Sequence, residues 1–264
     1  MEIDIYQIDA FTNQLFGGNP AAVCPLENWL DDHLLLKIAQ ENNLAETAYF
    51  TPIRDHLFHL RWFTPEIEMD LCGHATLATA HVIFHVLNSH YDEIQFKTLS
   101  GLLTVKRKDG QIELDFPSRP PKRDVLPKII AESLNLRPLE VWKARDYLLV
   151  YDNQEQIENI QIDMSLINKI NIDPGGIILT APGSAKDVDF VSRFFTPQAS
   201  IFEDPVTGSA HCTLVPFWFE RMNKKTFKAQ QLSPRGGELK CELEGNRVRI
   251  RGDSVLYLKG EIII

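Results

Sequence analysis

The chain has 264 residues, 44% of them hydrophobic and 24% charged, which supplies a large core and lies far from the composition of disordered chains. Its 27 basic residues against 36 acidic ones leave a formal charge of −9, which works against nucleic acid, whose phosphates reward Lys/Arg clusters. A small molecule or another protein is the expected partner. No segment approaches the roughly 20 apolar residues that cross a bilayer; the longest, 75–87, is interrupted by His81 and His85.

At about 150 residues per domain the length suggests two domains, or one large one. The opening MEIDIYQID lacks the basic and apolar regions of a secretion signal, and Cys24, Cys72, Cys212 and Cys241 show no CxxC or zinc-ligand spacing. A reducing cytoplasm without structural disulfides is expected.

In chain order, residues 2–10 alternate as a half-buried strand does. Residues 29–42 place Leu30, Leu34, Leu35, Ile38 and Ala39 at helical spacing, with Asp31 and Asp32 suited to the first turn. Strands follow over 48–51 and 57–63. Residues 75–87 are apolar nearly all round, with small side chains at Ala75, Ala78 and Ala80, which predicts a buried central helix. Strands over 94–97, 102–107 and 112–116 complete the first half. The Pro-rich segment 117–127 cannot sustain helix or central strand, so the domain boundary is placed there, dividing 1–118 from 119–264, with the C-terminal segment free to cross back to the first lobe. Beyond it, strands are predicted over 142–150, 176–180 and 189–195. A second apolar helix covers 210–221, with Pro216 as a candidate kink, and strands follow over 239–243, 247–251 and 255–258.

The two halves share more than an inventory. Arg61-Trp-Phe-Thr-Pro65 recurs as Arg193-Phe-Phe-Thr-Pro197, an offset of 132; Gly73 answers to Gly208 and Gly101 to Gly236, both at 135. Three matches in order at nearly constant offset point to an internal duplication. Two similar lobes related by a pseudo-twofold axis would bring equivalent loops to one interdomain cleft, a common place for ligands.

The loops Met69-Asp-Leu-Cys-Gly-His-Ala-Thr76 and Phe202-Glu-Asp-Pro-Val-Thr-Gly-Ser-Ala-His211 each set a glycine just before an apolar helix, whose unpaired first-turn amides and positive dipole end suit an anion. The plainer alternative is that Gly73 and Gly208 permit a tight turn while Thr76 or Ser209 caps a helix. Duplication favours the anion reading. Asp70, His74, Asp204, Ser209 and His211 crowd these loops. His74 titrates in a range suited to proton donation, or serves as a structural hydrogen-bond partner. Asp204, held extended by Pro205, either orients a substrate or caps the turn. Glu46 stands between helix and strand with no basic residue within three positions. On a wet loop it is inert, whereas desolvation in an apolar cleft would suit it to removing and returning a proton. Cys24, Cys212 and Cys241 read as packing residues. His33, His56, His59 and His90 read as solvated, and Arg235 as a turn residue, or as a residue that holds an anionic ligand or a dimer partner.

The ordered set Gln7-Ile-Asp-Ala-Phe-Thr12, Gly17-Gly-Asn-Pro20, Asn43-Leu-Ala-Glu-Thr47, Cys72-Gly-His-Ala-Thr76, Glu203-Asp-Pro-Val-Thr-Gly-Ser-Ala-His211 and Ser233-Pro-Arg-Gly-Gly237 resembles the PhzF family of phenazine-biosynthesis-type isomerases, relatives of diaminopimelate epimerase, nearly end to end. The resemblance implies an α+β fold of two pseudo-symmetric diaminopimelate-epimerase-like lobes, each a curved mixed sheet or barrel around a central helix, and usually a homodimer. It implies proton transfer at carbon without a cofactor or metal. Glu46 matches the family's catalytic glutamate, and His74 and Asp204 match pocket residues that assist. Gly73, Gly208 and Ser209 match positions that hold the substrate carboxylate. Ala45 stands where the phenazine enzyme has serine, so phenazine-pathway specificity is not implied.

The epimerases use two facing cysteines. Here Cys72 occupies the first position, while Pro205, Val206 and Thr207 offer no second thiolate. Cys72, beside a helix N-terminus, is either a lowered-pKa thiol or a buried inert one. The expected function is therefore a cofactor-independent isomerase acting on a small carboxylate-bearing metabolite with Glu46 as general acid/base. The rivals are a racemase or epimerase pairing Cys72 with a non-cysteine group, and a non-catalytic small-carboxylate-binding protein.

Overall fold

The structure is a computed structural model that describes residues 1–87, 89–172, 175–197, 199 and 201–264. The chain forms two compact units, Met1–Phe116 with Arg249–Ile264, and Pro117–Val248. Where the sequence divides the chain after Ser118, compaction divides it after Phe116, and Arg249–Ile264 pack with the first unit. Among the described residues no helix is long and apolar enough to cross a membrane.

The first unit holds β1 (Glu2–Ala10), β2 (Asn19–Pro25), α1 (Asp32–Asn42), β3 (Glu46–Arg54), β4 (Leu57–Phe63), β5 (Glu68–Met69), α2 (Gly73–His81), β6 (Glu93–Thr98), β7 (Gly101–Lys108) and β8 (Gln111–Pro117). The second holds β9 (Lys122–Arg123), α3 (Lys128–Ser133), β10 (Glu140–Lys143), β11 (Tyr147–Val150), α4 (Gln154–Asn159), α5 (Met164–Ile167), β12 (Ile177–Pro182), β13 (Phe190–Phe195), β14 (Glu203–Asp204), α6 (Gly208–Met222), β15 (Thr226–Gln231) and β16 (Gly237–Glu244). Strand β17 (Arg247–Gly252) carries the chain back to the first unit, where β18 (Ser254–Ile263) pairs antiparallel with β1.

In the first unit β2 runs parallel to β3, β4 antiparallel to β3, β6 parallel to β4 and β7 antiparallel to β6, with the short β5 on β4. The second repeats this pattern: β11 is parallel to β12, β13 antiparallel to β12, β15 parallel to β13 and β16 antiparallel to β15, with the short β14 on β13. The sequence repeat thus has its counterpart in topology. It extends to side chains. Arg61 clasps Glu68 through Nε and Nη2 at 2.7 and 2.6 Å beneath the ring of Phe63. Arg193 clasps Glu203 in the same two-pronged way at 2.7 and 2.9 Å beside Phe195. Each pair pins the short strand from which a candidate loop departs.

Each unit wraps its sheet around an apolar helix. Helix α2, buried at all nine residues, packs on β1, β2 and β3, while the outer α1 packs Leu35, Ile38 and Ala39 onto Tyr49 and Phe63. In the second unit α6 packs on β16, and its Trp218 stacks on Phe190 and donates to the Thr180 hydroxyl at 3.0 Å.

Three sequence expectations need correction. The strand expected over 142–150 is two strands, because the chain turns at Ala144–Asp146, where the buried Asp146 carboxylate accepts the Gly176 amide at 2.8 Å. The helix expected over 75–87 starts two residues earlier and widens into a π-turn at Val82–Val86, with the Leu87 amide reaching the Val82 carbonyl. His59 is half-buried rather than solvated: its Nδ1 accepts from Trp29 Nε1 at 3.0 Å, and burial lowers its pKa.

Candidate active site

Glu46, Cys72, Gly73 and His74 converge in the first unit because the chain places them at adjacent element ends. Glu46 is the first residue of β3, and Asn19 is the first residue of its parallel neighbour β2. Helix α2 begins at Gly73 on the same strands. Gly18 makes the placement of Asn19 possible. Its φ is +63°, and a Cβ there would meet the Ala10 carbonyl oxygen at 2.1 Å.

His74 is the hub. Its Nδ1 lies 3.0 Å from Asn19 Nδ2 and 3.6 Å from Cys72 Sγ, and its Nε2 lies 3.0 Å from Glu46 Oε2. In the neutral imidazole Nδ1 accepts from Asn19 and Nε2–H faces Glu46. Protonation adds a hydrogen at Nδ1, and the Asn19 amide then presents its oxygen by turning over. The Nε2–Oε2 contact is an ion pair at 3.0 Å, and neither atom has a second polar partner among the described residues.

The Glu46 side chain is 14% exposed and that of His74 is 5% exposed. For His74, burial opposes charge while Cys72 and Glu46 favour it, and the outcome is an imidazole held well above its ordinary value. Burial pushes the Cys72 thiol up to about 11, Glu46 adding to the rise and His74 opposing it. Of the two sequence readings of Cys72, a lowered-pKa thiol is therefore the one the structure rejects, because desolvation outweighs the helix end.

The first turn of α2 has no side-chain cap: Cys72 occupies the N-cap without a capping bond, and the Thr76 hydroxyl bonds back to the Cys72 carbonyl. The capping reading of Thr76 is thus overturned. Helix α6 likewise starts from Thr207 without a side-chain cap. Neither helix start therefore has a side-chain cap bond at its N-cap residue.

In the second unit Asp204, Gly208 and Ser209 lie on one loop and first turn, Gly208 buried and the other two half-buried. The Thr207 hydroxyl donates to Asp204 Oδ2 at 2.5 Å. Gln231, buried at the end of β15, ties the loop. Its Oε1 accepts from the Thr207 amide at 2.9 Å, and its Nε2 donates to the Asp204 carbonyl at 2.7 Å and the Thr207 hydroxyl at 3.2 Å. The Ser233 hydroxyl donates to the Pro205 carbonyl at 2.7 Å. His211 donates through Nδ1 to the Thr207 carbonyl at 2.9 Å, and burial lowers its pKa to about 4, leaving it neutral. Sequence reasoning assigned no role to Asn19 or Gln231. Asn19 carried a signal in Gly17-Gly-Asn-Pro20, whereas Gln231 is marked only as a polar residue at an inward strand position.

Mixed parallel and antiparallel strands packed in each unit on a buried helix give the α+β fold class of the epimerase-like proteins. A family model described as PhzC-PhzF, phenazine biosynthesis-like protein, matches residues 8–260. The chain belongs to this family and is an isomerase. It is 45% identical over 267 residues to an uncharacterized isomerase of Halalkalibacterium halodurans, covering 100% of each chain. The crystal structure of a PhzF-family phenazine biosynthesis protein from Enterococcus faecalis superposes with a TM-score of 0.94 at 43% identity, over 100% of both chains. A hydroxyproline epimerase from Agrobacterium vitis, solved with trans-4-hydroxy-L-proline, shares the fold at a TM-score of 0.64 and 11% identity, over 99% of this chain and 92% of its own.

Proposed function

We propose that this isomerase moves a proton between carbon centres of a small carboxylate-bearing metabolite, with Glu46 as general acid/base and no cofactor. The observation that carries the reading is Glu46 Oε2: nearly buried, paired with His74 Nε2 at 3.0 Å and with no second polar partner among the described residues. A carboxylate oxygen held in place by one partner, with a lone pair left over, is ready to take a proton from an acidified carbon, a contribution typically of ~10²–10⁴ in rate. His74, anchored by Asn19, holds the carboxylate in place. The first-turn amides of Gly73 and His74 would bind the substrate carboxylate and the negative charge that develops on it.

Asp204, Gly208 and Ser209 are assigned to the same substrate by the sequence repeat and motif alone: Asp204 to orient a polar group, the other two to hold the carboxylate. The family resemblance further assigns a homodimer, and four buried free thiols suit a cytoplasmic setting.

One observation favours a second reading. Cys72 Sγ lies 3.6 Å from Nδ1 of the same imidazole, which makes its thiol a candidate proton donor on the far side of His74. Loss of carbon-bound hydrogen exchange in Cys72→Ser with retention in Glu46→Gln would favour Cys72. The carboxylate requirement is tested by thermal shift with pairs of small acids and their neutral amides. Acids should raise the melting temperature and their amides should not; equal shifts for the two members of every responding pair would refute it.

A further inference from the structure

We propose that the outer edge of β18 binds a second copy of this chain, β18 against β18 and antiparallel, about a twofold axis at Gly260. Among the described residues β18 pairs with β1 alone, so its other edge is open. That edge is apolar: Leu258, Ile263 and Ile264 are 41%, 80% and 44% exposed, with Leu256 and Tyr257 exposed beside them. A long apolar edge is a template for another strand unless something covers it. The two charges on β18, Lys259 and Glu261, select the chain's own copy as that cover.

Hydrogen bonding fixes which residues face the open edge. Met1 and Ile264 exchange both backbone bonds, the Ile264 amide reaching the Met1 carbonyl at 2.9 Å and the Met1 ammonium reaching the Ile264 carbonyl. Alternation along the antiparallel register then turns Ile262 and Gly260 towards Ile3 and Ile5, and leaves the N–H and C=O groups of Lys259, Glu261 and Ile263 pointing outward. A bulge between Leu256 and Leu258 ends the regular stretch. Twofold pairing within that stretch must bring outward groups together. An axis at Lys259 or at Glu261 sets like charges against each other, and one at Ile262 sets Glu261 against Ile263. An axis at Gly260 sets Lys259 opposite the partner's Glu261, twice. On the other face it sets Leu258 opposite the partner's Ile262, a residue that packs against the core of the first unit. Within one chain the charges lack this complement. Glu261 stands directly across from Asp4, both exposed, and among the described residues neither Lys259 nor Glu261 has an ion-pair partner. The partner's Lys259 lands beside that acidic pair. The contact is isologous, so it closes at two copies. The proposal goes beyond the expected homodimer by naming its edge and register, and it does not depend on the proton-transfer reading.

The test is sedimentation equilibrium of the full chain at low ionic strength, with variants at the two charged positions. Wild type should sediment as a dimer. Lys259→Glu and Glu261→Lys should each raise the dissociation constant at least ~10-fold, since each sets like charges across the axis twice. The double variant Lys259→Glu with Glu261→Lys restores both pairs and should return the constant to within ~3-fold of wild type. Glu261→Pro removes an outward N–H without touching the β1 ladder, and should give a monomer that circular dichroism shows to be folded. A wild type that is monomeric at ~100 μM overturns the proposal. A dimer with an unchanged constant in the single variants also overturns it, placing the homodimer on another surface, and a double variant as weak as the singles overturns the register. Should Glu261→Pro fail to fold, the charge swap decides alone.

Discussion

Replacing Gln231 by leucine removes the clamp on the acidic loop while keeping its volume nearly constant. Three hydrogen bonds are lost, those to the Thr207 amide, the Asp204 carbonyl and the Thr207 hydroxyl. The hydroxyl retains Asp204 Oδ2, whereas the amide and the carbonyl lose a buried partner. At ~1–3 kcal/mol for each buried group left unsatisfied, the expected cost is about 2–6 kcal/mol of folding stability. The neighbouring Gln230 faces away, and among the described residues its side chain bonds the exposed Glu238, at 3.1 Å, so Gln230→Leu should stay within about 0.5 kcal/mol of wild type. Urea unfolding of the three proteins, with unchanged dependence on denaturant, measures the difference. A Gln231→Leu protein within about 1 kcal/mol of wild type, or no worse than Gln230→Leu, refutes the clamp.

Burial holds His211 and His81 neutral, each lowered to about 4 from an ordinary 6.5. The unfolded chain takes up these protons below pH 6.5 and the folded chain only near pH 4, so stability is full above 6.5 and falls between the two, by roughly 3 kcal/mol for each histidine. Urea titrations at stepped pH should show this slope reduced in His211→Asn, and an identical slope would contradict it. Gly18→Ala should cost several kcal/mol, because the new Cβ falls on the Ala10 carbonyl at positive φ; a fully stable variant by thermal melting would show that Asn19 is not placed by this turn.

Much of the fold was legible because period-2 alternation survives where one face of a strand is buried. Strand β4 was bounded at 57–63 from sequence alone, and the apolar helices of both halves stood out from their flanks. What escaped has physical reasons. Asn19–Pro25 begins Asn-Pro, ends in Pro and does not alternate; pairing with β1 and β3 on both sides makes it a strand. Thr226–Gln231 does alternate, but its third inward residue is Gln231, whose polarity breaks the apolar pattern. That break is functional, since an amide is what the buried loop needs there. The site was legible as a list of residues and not as contacts. Nothing local in Asn43-Leu-Ala-Glu-Thr47 announces that Glu46 meets His74, because the meeting depends on β3 lying beside β2 beneath α2.

The most direct measurement of the central claim is deuterium uptake from D2O into carbon-bound positions of small carboxylic acids that stabilise the protein, followed by NMR for wild type and Glu46→Gln. Wild type should exchange at least one such position, and Glu46→Gln should slow it by ~10²–10⁴-fold while remaining folded. Exchange at the wild-type rate in Glu46→Gln would mean that this carboxylate is not the base.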